Sequence, residues 1–134
     1  NNDGVTDCLN DLNKILLKTK IASINPSDIN VIEGKYAKLP NKFPFTPGNE
    51  GIFQISKMGN NVKQNTNLFV GNLVIPYKTE LGCWSEYVIC EPNDIISLNI
   101  SSSILNESKL LYYLCLLSVN PCSAYRMLND YISP

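Results

Sequence analysis

The stretch Ile24–Tyr36 constrains the fold most, because it carries both the start signal and the stop signal of a short helix. Asn25 is a favourable N-cap residue, and the proline that follows it suits the first helical position. Asp28 places negative charge at the positive end of the helix dipole. Gly34 is the residue type that most readily ends a helix with a positive φ. The sequence therefore predicts a helix over about 26–33, which delivers the residues after it to a fixed place.

Other segments predict short strands and two more helices, which together indicate an α+β domain. The predicted strands are Ile15–Ile24, Gly51–Met58, Leu68–Val70, Leu73–Pro76, Trp84–Cys90 and Asp94–Leu98. The predicted helices are Ile104–Leu117, which the serines at 101–103 can cap, and Cys122–Tyr131, which an Asn-Pro pair precedes. Proline-rich Lys38–Pro47 and polar Asn61–Asn67 are predicted to be loops, and residues 1–14 a loop or a frayed end.

With 134 residues the chain suits a single domain, since domains usually hold roughly 100–200 residues. A net charge of −1 offers no basic surface for nucleic acid. The longest mostly apolar run, Leu110–Val119, is far shorter than the ~20 residues of a membrane span. No signal peptide is apparent. The five cysteines are odd in number and form no Cys-x-x-Cys pair, which favours reduced thiols in an intracellular protein.

The chain contains no histidine, and this absence restricts its chemistry more than any other count. It removes the commonest general base, the Ser-His and Cys-His nucleophile pairs and most catalytic zinc sites. No Gly-x-Gly-x-x-Gly fingerprint for dinucleotide binding occurs either. Acid–base chemistry would therefore have to come from a side chain other than histidine.

Four ordered stretches carry a family signature: Asn25–Asn30 with Gly34-Lys35-Tyr36, then Gly48–Gly51, Gly82–Glu86 and Val119–Leu128. Together they resemble the mitochondrial trans-2-enoyl-CoA and enoyl-acyl-carrier-protein reductases of the medium-chain dehydrogenase/reductase superfamily. The resemblance covers Ile15 to about Pro134. The turn Val70-Gly71-Asn72 departs from the Pro-Gly-Asp usual in that family, which weakens turn chemistry and not catalysis.

The resemblance implies a GroES-like catalytic domain over residues 1–134, a distorted β-barrel with short flanking helices. In the family a Rossmann domain follows, so the chain is interpreted as the N-terminal fragment of a larger reductase, inactive alone. The resemblance further implies NADPH as cofactor, bound mainly by the missing domain, and a substrate carried on acyl-carrier protein or CoA. It also implies a mitochondrial location and a homodimeric full-length enzyme.

Tyr36 matches the tyrosine that serves as proton donor in this family. Hydride addition to Cβ of a 2-enoyl thioester leaves negative charge on Cα and the thioester oxygen, and a proton must then be added at Cα to neutralise it. A phenol, with a pKa near ~10, is protonated at neutral pH and able to supply that proton. The alternative for Tyr36 is a loop tyrosine that only packs its ring and binds water.

Asn120 matches the asparagine that contacts the nicotinamide cofactor in the family, although an asparagine before proline also commonly caps a helix. Asn49 stands where zinc-dependent relatives carry histidine, and its amide is a poor zinc ligand. The resemblance therefore implies a zinc-free reductase. Glu50 is interpreted as a structural hydrogen-bonding group and not as a base.

Three further residues lie in the matched motifs. Trp84, the only tryptophan, is either part of the pocket wall near Tyr36 or a half-buried packing residue. Asp28 and Arg126 are a possible ion pair. Two other functions stay open beside enoyl thioester reduction: a quinone oxidoreductase-like enzyme and a non-catalytic binding protein of the same fold. The presence of Tyr36 and Asn120 argues against the binding protein.

Overall fold

The computed structural model describes residues 11–100 and 108–132. Within these ranges the chain forms five strands, four α-helices and one 3₁₀ turn. The strands are β1 (Ile15–Ala22), β2 (Gly51–Met58), β3 (Leu73–Pro76), β4 (Tyr87–Cys90) and β5 (Ile95–Ser97). The α-helices are α1 (Pro26–Ile32), α2 (Asn60–Asn65), α3 (Ser108–Cys115) and α4 (Asn120–Tyr131), and the 3₁₀ turn is Pro92–Asp94.

The five strands form one sheet in the order β4-β1-β2-β3-β5, and every neighbouring pair is antiparallel. The register between β1 and β2 shifts between Leu16 and Leu17 and again between Thr19 and Ile21. Such irregularities bend a strand and increase its twist, so they curl the sheet into a half-barrel. The predicted α+β fold, a distorted barrel with short flanking helices, is confirmed.

The strands supply side chains to two apolar clusters, one on each face of the sheet. They can do so because successive side chains of a strand point to opposite sides. On β2, Phe53 belongs to the larger apolar cluster, whereas its neighbour Ile52 belongs to a second cluster. The same alternation places Val74 in the first cluster and Leu73 in the second. Helix α3 covers the second face with Cys115, and three leucines pack against that cluster: Leu111, Leu114 and Leu117.

Several predicted elements are confirmed, with ends that differ by a few residues. Helix α1 ends one residue earlier than predicted, β2 has the predicted bounds, and β1 stops at Ala22. The loop Lys38–Pro47 is confirmed, and its Phe43 and Phe45 rings meet edge to face with centroids 5.5 Å apart. The predicted start of α3 at 101–107 and the predicted loop at 1–10 lie outside the described residues.

Three predictions of secondary structure are wrong. The segment Asn61–Asn67 is largely the helix α2, because Val62 is buried in the main cluster and the backbone N–H of Asn61 donates to the carbonyl of Leu12. Leu68–Val70 forms no strand, because the chain turns there: the backbone N–H of Asn72 donates to the carbonyl of Phe69 at 3.0 Å, and the side chains of Phe69 and Val70 are exposed. Trp84–Glu86 also lies outside β4, which begins at Tyr87.

Candidate active site

A cleft of about 900 Å³ lies between α1, the proline-rich loop and the segment 79–82. Tyr36 lies on its wall, as does Val119, the residue directly before α4. Lys38 and Glu80 also line it, and their ion pair (Nζ to Oε1, 2.9 Å) joins the loop to the 79–82 segment. Two segments predicted to carry the chemistry, the one after α1 and the one at the start of α4, therefore border one cavity.

Tyr36 is held at the cleft by the way α1 ends. Gly34 takes a φ of +70°, the left-handed conformation typical of a residue just past a helix. The backbone N–H groups of Lys35 and Tyr36 then both donate to the carbonyl of Asn30, at 2.8 and 3.2 Å. The Tyr36 side chain is 45% exposed, and it makes no hydrogen bond to the described residues. Its backbone is fixed while its hydroxyl is available.

Buried polar contacts fix the beginning of α1. The carboxylate of Asp28, only 1% exposed, accepts from the backbone N–H of Asn25 (2.9 Å) and from the side-chain amide of Asn49 (2.9 Å). The first contact is the reciprocal half of a capping box. Asn49 also accepts from the backbone N–H of Glu80 (3.1 Å). Asn49 thus joins α1 to the opposite wall of the cleft.

Glu50 is fully buried and accepts hydrogen bonds from two directions. Its Oε2 accepts from the side-chain amide of Asn25 at 2.8 Å. Its Oε1 accepts from the Ser118 hydroxyl (2.9 Å) and from the backbone N–H of Val119 (2.8 Å). The prediction that Glu50 is a hydrogen-bonding group is confirmed by these contacts.

Asn120 is the first residue of α4, and Val119 is the N-cap. The expectation that Asn120 caps this helix is therefore wrong, because the chain enters the helix one residue earlier. The Asn120 side chain is exposed, and within the described part of the chain it makes no hydrogen bond. Its amide is thus exposed and not bonded to the described residues, one residue beyond Val119, which lines the cleft.

Trp84 does not line the cleft. Its indole N–H donates to the carbonyl of Ser23 at 2.8 Å, and its ring packs against the main apolar cluster. The packing interpretation is therefore confirmed. The possible pair between Asp28 and Arg126 is wrong, since Arg126 pairs with Asp130 one turn further along α4.

The thiols beneath the cleft are poor nucleophiles. Burial raises the pKa of Cys83 to about 12 and that of Cys115 to about 11, with the nearby charge of Glu50 adding to both. Cys122, by contrast, is an exposed thiol on the first turn of α4.

Within residues 11–100 and 108–132, no cluster of three or more histidine, cysteine, aspartate or glutamate side chains is placed to hold a metal ion. No helix in these ranges is long and apolar enough to cross a bilayer.

Two structural partners escaped sequence reasoning. Ser118 directly precedes the matched stretch Val119–Leu128, and its closeness to that motif is the only signal that pointed to it. Glu80 adopts a φ of +68°, which is unusual for glutamate. No local pattern around Glu80 announces that conformation, because the contact that stabilises it comes from Asn49 in another segment.

The model of the alcohol dehydrogenase GroES-like domain matches residues 11–100. The NADPH quinone oxidoreductase of Kluyveromyces marxianus is 40% identical over 127 residues, covering 88% of this chain and 30% of the relative. The mitochondrial enoyl-[acyl-carrier-protein] reductase of Homo sapiens is 40% identical over 117 residues, covering 87% and 28%. A solved complex of Etr1p with NADP and crotonyl-CoA superposes with a TM-score of 0.78 at 31% identity, covering 92% and 36%.

The chain thus spans about a third of the length of the proteins it matches. The family model covers most of the described sheet, from the residues before β1 to those after β5. The curled antiparallel sheet and the match to that model lead to one conclusion: this chain belongs to the alcohol dehydrogenase GroES-like domain family.

Proposed function

We propose that residues 1–134 form the catalytic domain of a longer NADPH-dependent trans-2-enoyl thioester reductase of fatty acid synthesis. The observation that carries the proposal is the position of Tyr36. Its backbone is fixed by the end of α1, and its side chain is half-exposed on the wall of a cleft. The relatives named enoyl reductases and the solved complex with NADP and crotonyl-CoA support this choice of chemistry.

Tyr36 is the proposed general acid. The nicotinamide, when bound, supplies a hydride to Cβ of the enoyl thioester. The Tyr36 hydroxyl then gives its proton to Cα, which completes a saturated acyl chain and leaves a phenolate that takes a proton from solvent. Positioned acids of this kind contribute about 10²–10⁴-fold to rate. The exposed ring is compatible with reprotonation from water.

Asn120, which directly follows the cleft residue Val119, fits a nicotinamide cofactor. Asn120 offers an exposed amide with no hydrogen bond to the described residues, and such a group suits a ribose hydroxyl or a carboxamide. The rest of the full-length protein would hold most of the NADPH. Catalysis without zinc is part of the proposal, because the Asn49 amide is already bonded to Asp28 and Glu80.

The cleft also fits an acyl chain. Val31, Pro40, Phe45 and Leu81 give it apolar walls, and its volume of about 900 Å³ suits a medium-sized ligand. We propose acyl-carrier protein or CoA as the carrier of the thioester. A mitochondrial location follows the names of the enoyl reductase relatives and belongs to the same proposal. The homodimer of the full-length enzyme stays a prediction.

Quinone reduction is the second candidate function. It is favoured by the relative from Kluyveromyces marxianus, which is an NADPH quinone oxidoreductase and is 40% identical to this chain. Both reactions would begin with hydride transfer from the same cofactor. They differ in the need for a proton donor at carbon, so Tyr36 distinguishes them.

The test is NADPH oxidation by the full-length protein with crotonyl-CoA and, separately, with a benzoquinone. Wild type is compared with Tyr36→Phe and with the control Tyr77→Phe, a more exposed tyrosine that does not line the cleft. We expect crotonyl-CoA reduction to fall ~10²-fold or more in kcat for Tyr36→Phe and to stay unchanged for Tyr77→Phe. Equal activity of both variants would remove Tyr36 as the acid. Reduction of quinone alone would replace the first function with the second, and no reduction of either would favour the binding protein.

A further inference from the structure

The buried carboxylate of Glu50 joins the two elements that carry the candidate site residues. Asn25, which donates to Oε2, is the N-cap of α1. Ser118 and Val119, which donate to Oε1, are the last residues before α4. Within the described part of the chain, this one side chain is hydrogen-bonded to the starts of both helices.

Four observations set Glu50 apart from a general base. It is 0% exposed, both of its oxygens already accept hydrogen bonds, and its recorded partners are an amide, a hydroxyl and a backbone N–H. It is not among the residues that line the cleft. A carboxylate in that situation cannot reach a substrate, but it can orient the groups that bond to it.

We propose that Glu50 is a positioning residue for the cofactor: it holds the first turn of α4, and with it Asn120, at a fixed place relative to α1 and Tyr36. The contact at Val119 is the critical one, because this residue both lines the cleft and directly precedes Asn120. The inference rests on the proposed function, since it requires that Asn120 meet a nicotinamide cofactor.

A carboxylate is needed because donors approach both of its oxygens. Glutamine in its place would have one acceptor oxygen and one amide nitrogen. If the oxygen faced Ser118 and Val119, the nitrogen would face the Asn25 amide nitrogen, donor against donor. Rotating the Asn25 amide would relieve this clash, but the Ser23 hydroxyl, which accepts from the Asn25 nitrogen at 3.2 Å, would then have to donate instead, and the charge-assisted contact would still be lost. Glu50→Gln therefore weakens the link between α1 and α4 without creating a cavity, because the two side chains have nearly the same size.

The experiment measures the Kd of NADPH for the full-length protein by nicotinamide fluorescence, together with kcat and KM for crotonyl-CoA reduction. The variants are Glu50→Gln, Ser118→Ala and their combination. Ser118→Ala removes a single donor to Oε1 and leaves α1 untouched. The control is Asp130→Asn, which removes an exposed ion pair on the same helix, far along it from Glu50.

We expect each single variant to raise the Kd of NADPH about 3- to 10-fold, the effect of losing one ordinary hydrogen bond. The double variant should be little worse than Glu50→Gln alone, because Ser118 acts through Glu50. Asp130→Asn should bind NADPH like wild type. The Kd and the KM for NADPH should change more than kcat, whereas Tyr36→Phe should change kcat and leave the Kd as it is.

An unchanged NADPH Kd in Glu50→Gln and Ser118→Ala, with normal reduction of crotonyl-CoA by wild type, would overturn the positioning role and leave the proposed function standing. A lower melting temperature alone, with an unchanged Kd, would have the same meaning. If NADPH binds and its Kd depends on Glu50, but enoyl thioesters are not reduced, the positioning role holds and the proposed function fails. A protein that binds no NADPH overturns both.

Discussion

The side-chain amide of Asn49 donates to the buried carboxylate of Asp28, with 2.9 Å between Nδ2 and Oδ1. Its oxygen accepts the backbone N–H of Glu80 at 3.1 Å. One amide thus uses its donor and its acceptor to join α1 to the far wall of the cleft. A carboxylate or an imidazole at position 49 would not reproduce both contacts in the same geometry.

Replacing Asn49 with aspartate should destabilise the protein more than replacing it with alanine. Alanine leaves the Asp28 oxygen and the Glu80 N–H without their partner, which should cost about 1–2 kcal/mol of unfolding free energy. Aspartate adds a second carboxylate beside Asp28 and should cost about 3–5 kcal/mol. Urea unfolding at pH 7 measures both. Asn41→Asp, on the exposed proline-rich loop, is the control and should change stability by less than ~0.5 kcal/mol. Equal stability of Asn49→Asp and wild type would contradict the argument.

Gly48→Ala should be strongly destabilising for reasons of space. Gly48 has a φ of +96°, and an added Cβ would lie 2.4 Å from Trp84 Cδ1 and 2.9 Å from the Trp84 backbone nitrogen. Gly71 has nearly the same φ, +97°, but no atom within 4 Å of such a Cβ. We therefore expect Gly71→Ala to cost ~1–2 kcal/mol from backbone strain alone, and Gly48→Ala ~1–3 kcal/mol more from overpacking.

The two glycine variants are compared by urea unfolding under identical conditions. Their difference isolates the steric contacts with Trp84 and Cys83, because the φ angles of the two glycines match. A cost for Gly48→Ala no larger than that for Gly71→Ala would show that the surroundings of Trp84 adapt without loss of stability. In that case the packing role of Trp84 would need revision.

Stability should fall in alkaline solution because of the buried thiol of Cys83. Burial raises its folded-state pKa from an ordinary 9.0 to about 12. The unfolded thiol ionises above pH 9 while the folded thiol stays neutral, so the stability it contributes is fully present below pH 9 and is lost as the pH rises toward 12. One such group contributes a slope of about 1.4 kcal/mol per pH unit in that window.

Urea unfolding of wild type and Cys83→Ala between pH 8 and about 10.5 tests this linkage. Removing the thiol creates a small cavity, so the variant should be less stable at every pH, but its decline above pH 9 should be shallower by the slope of one group. Identical pH slopes for the two proteins would mean that Cys83 does not titrate on unfolding. Subtracting the two slopes of unfolding free energy against pH cancels the contribution of the lysines and tyrosines, which both proteins share.

Sequence reasoning succeeded where the determinants are local. The start and end of α1 follow from residues within one turn of each boundary, and the observed helix differs from the prediction by one residue. It failed at α2, whose polar residues give a weak helical signal and whose single buried side chain, Val62, is held against the core by distant contacts. It also failed at Leu68–Val70, where strand-forming residues find no strand to pair with.

In the candidate site, too, the features set by local sequence were predictable and those set by distant contacts were not. The place of Tyr36 was predictable, because α1 and Gly34 determine it locally. The links through Glu50 were not predictable, since they join residues 25 and 68 positions apart in the sequence. Those segments meet only when the sheet has folded. The pattern of apolar residues along the chain does not predict that meeting.

The contrast between the buried carboxylates of Asp28 and Glu50 and the exposed side chain of Tyr36 has a consequence for how such proteins diverge. The carboxylates that hold α1 and α4 are inaccessible and multiply bonded, so a change there threatens folding. Tyr36 is half-exposed and bonded to the described residues only through its backbone, so its side chain is replaceable at little cost in stability. Under the proposed function, one substitution at Tyr36 would remove the proton donor and so change which substrates the domain can serve, while selection on folding would preserve the buried carboxylates.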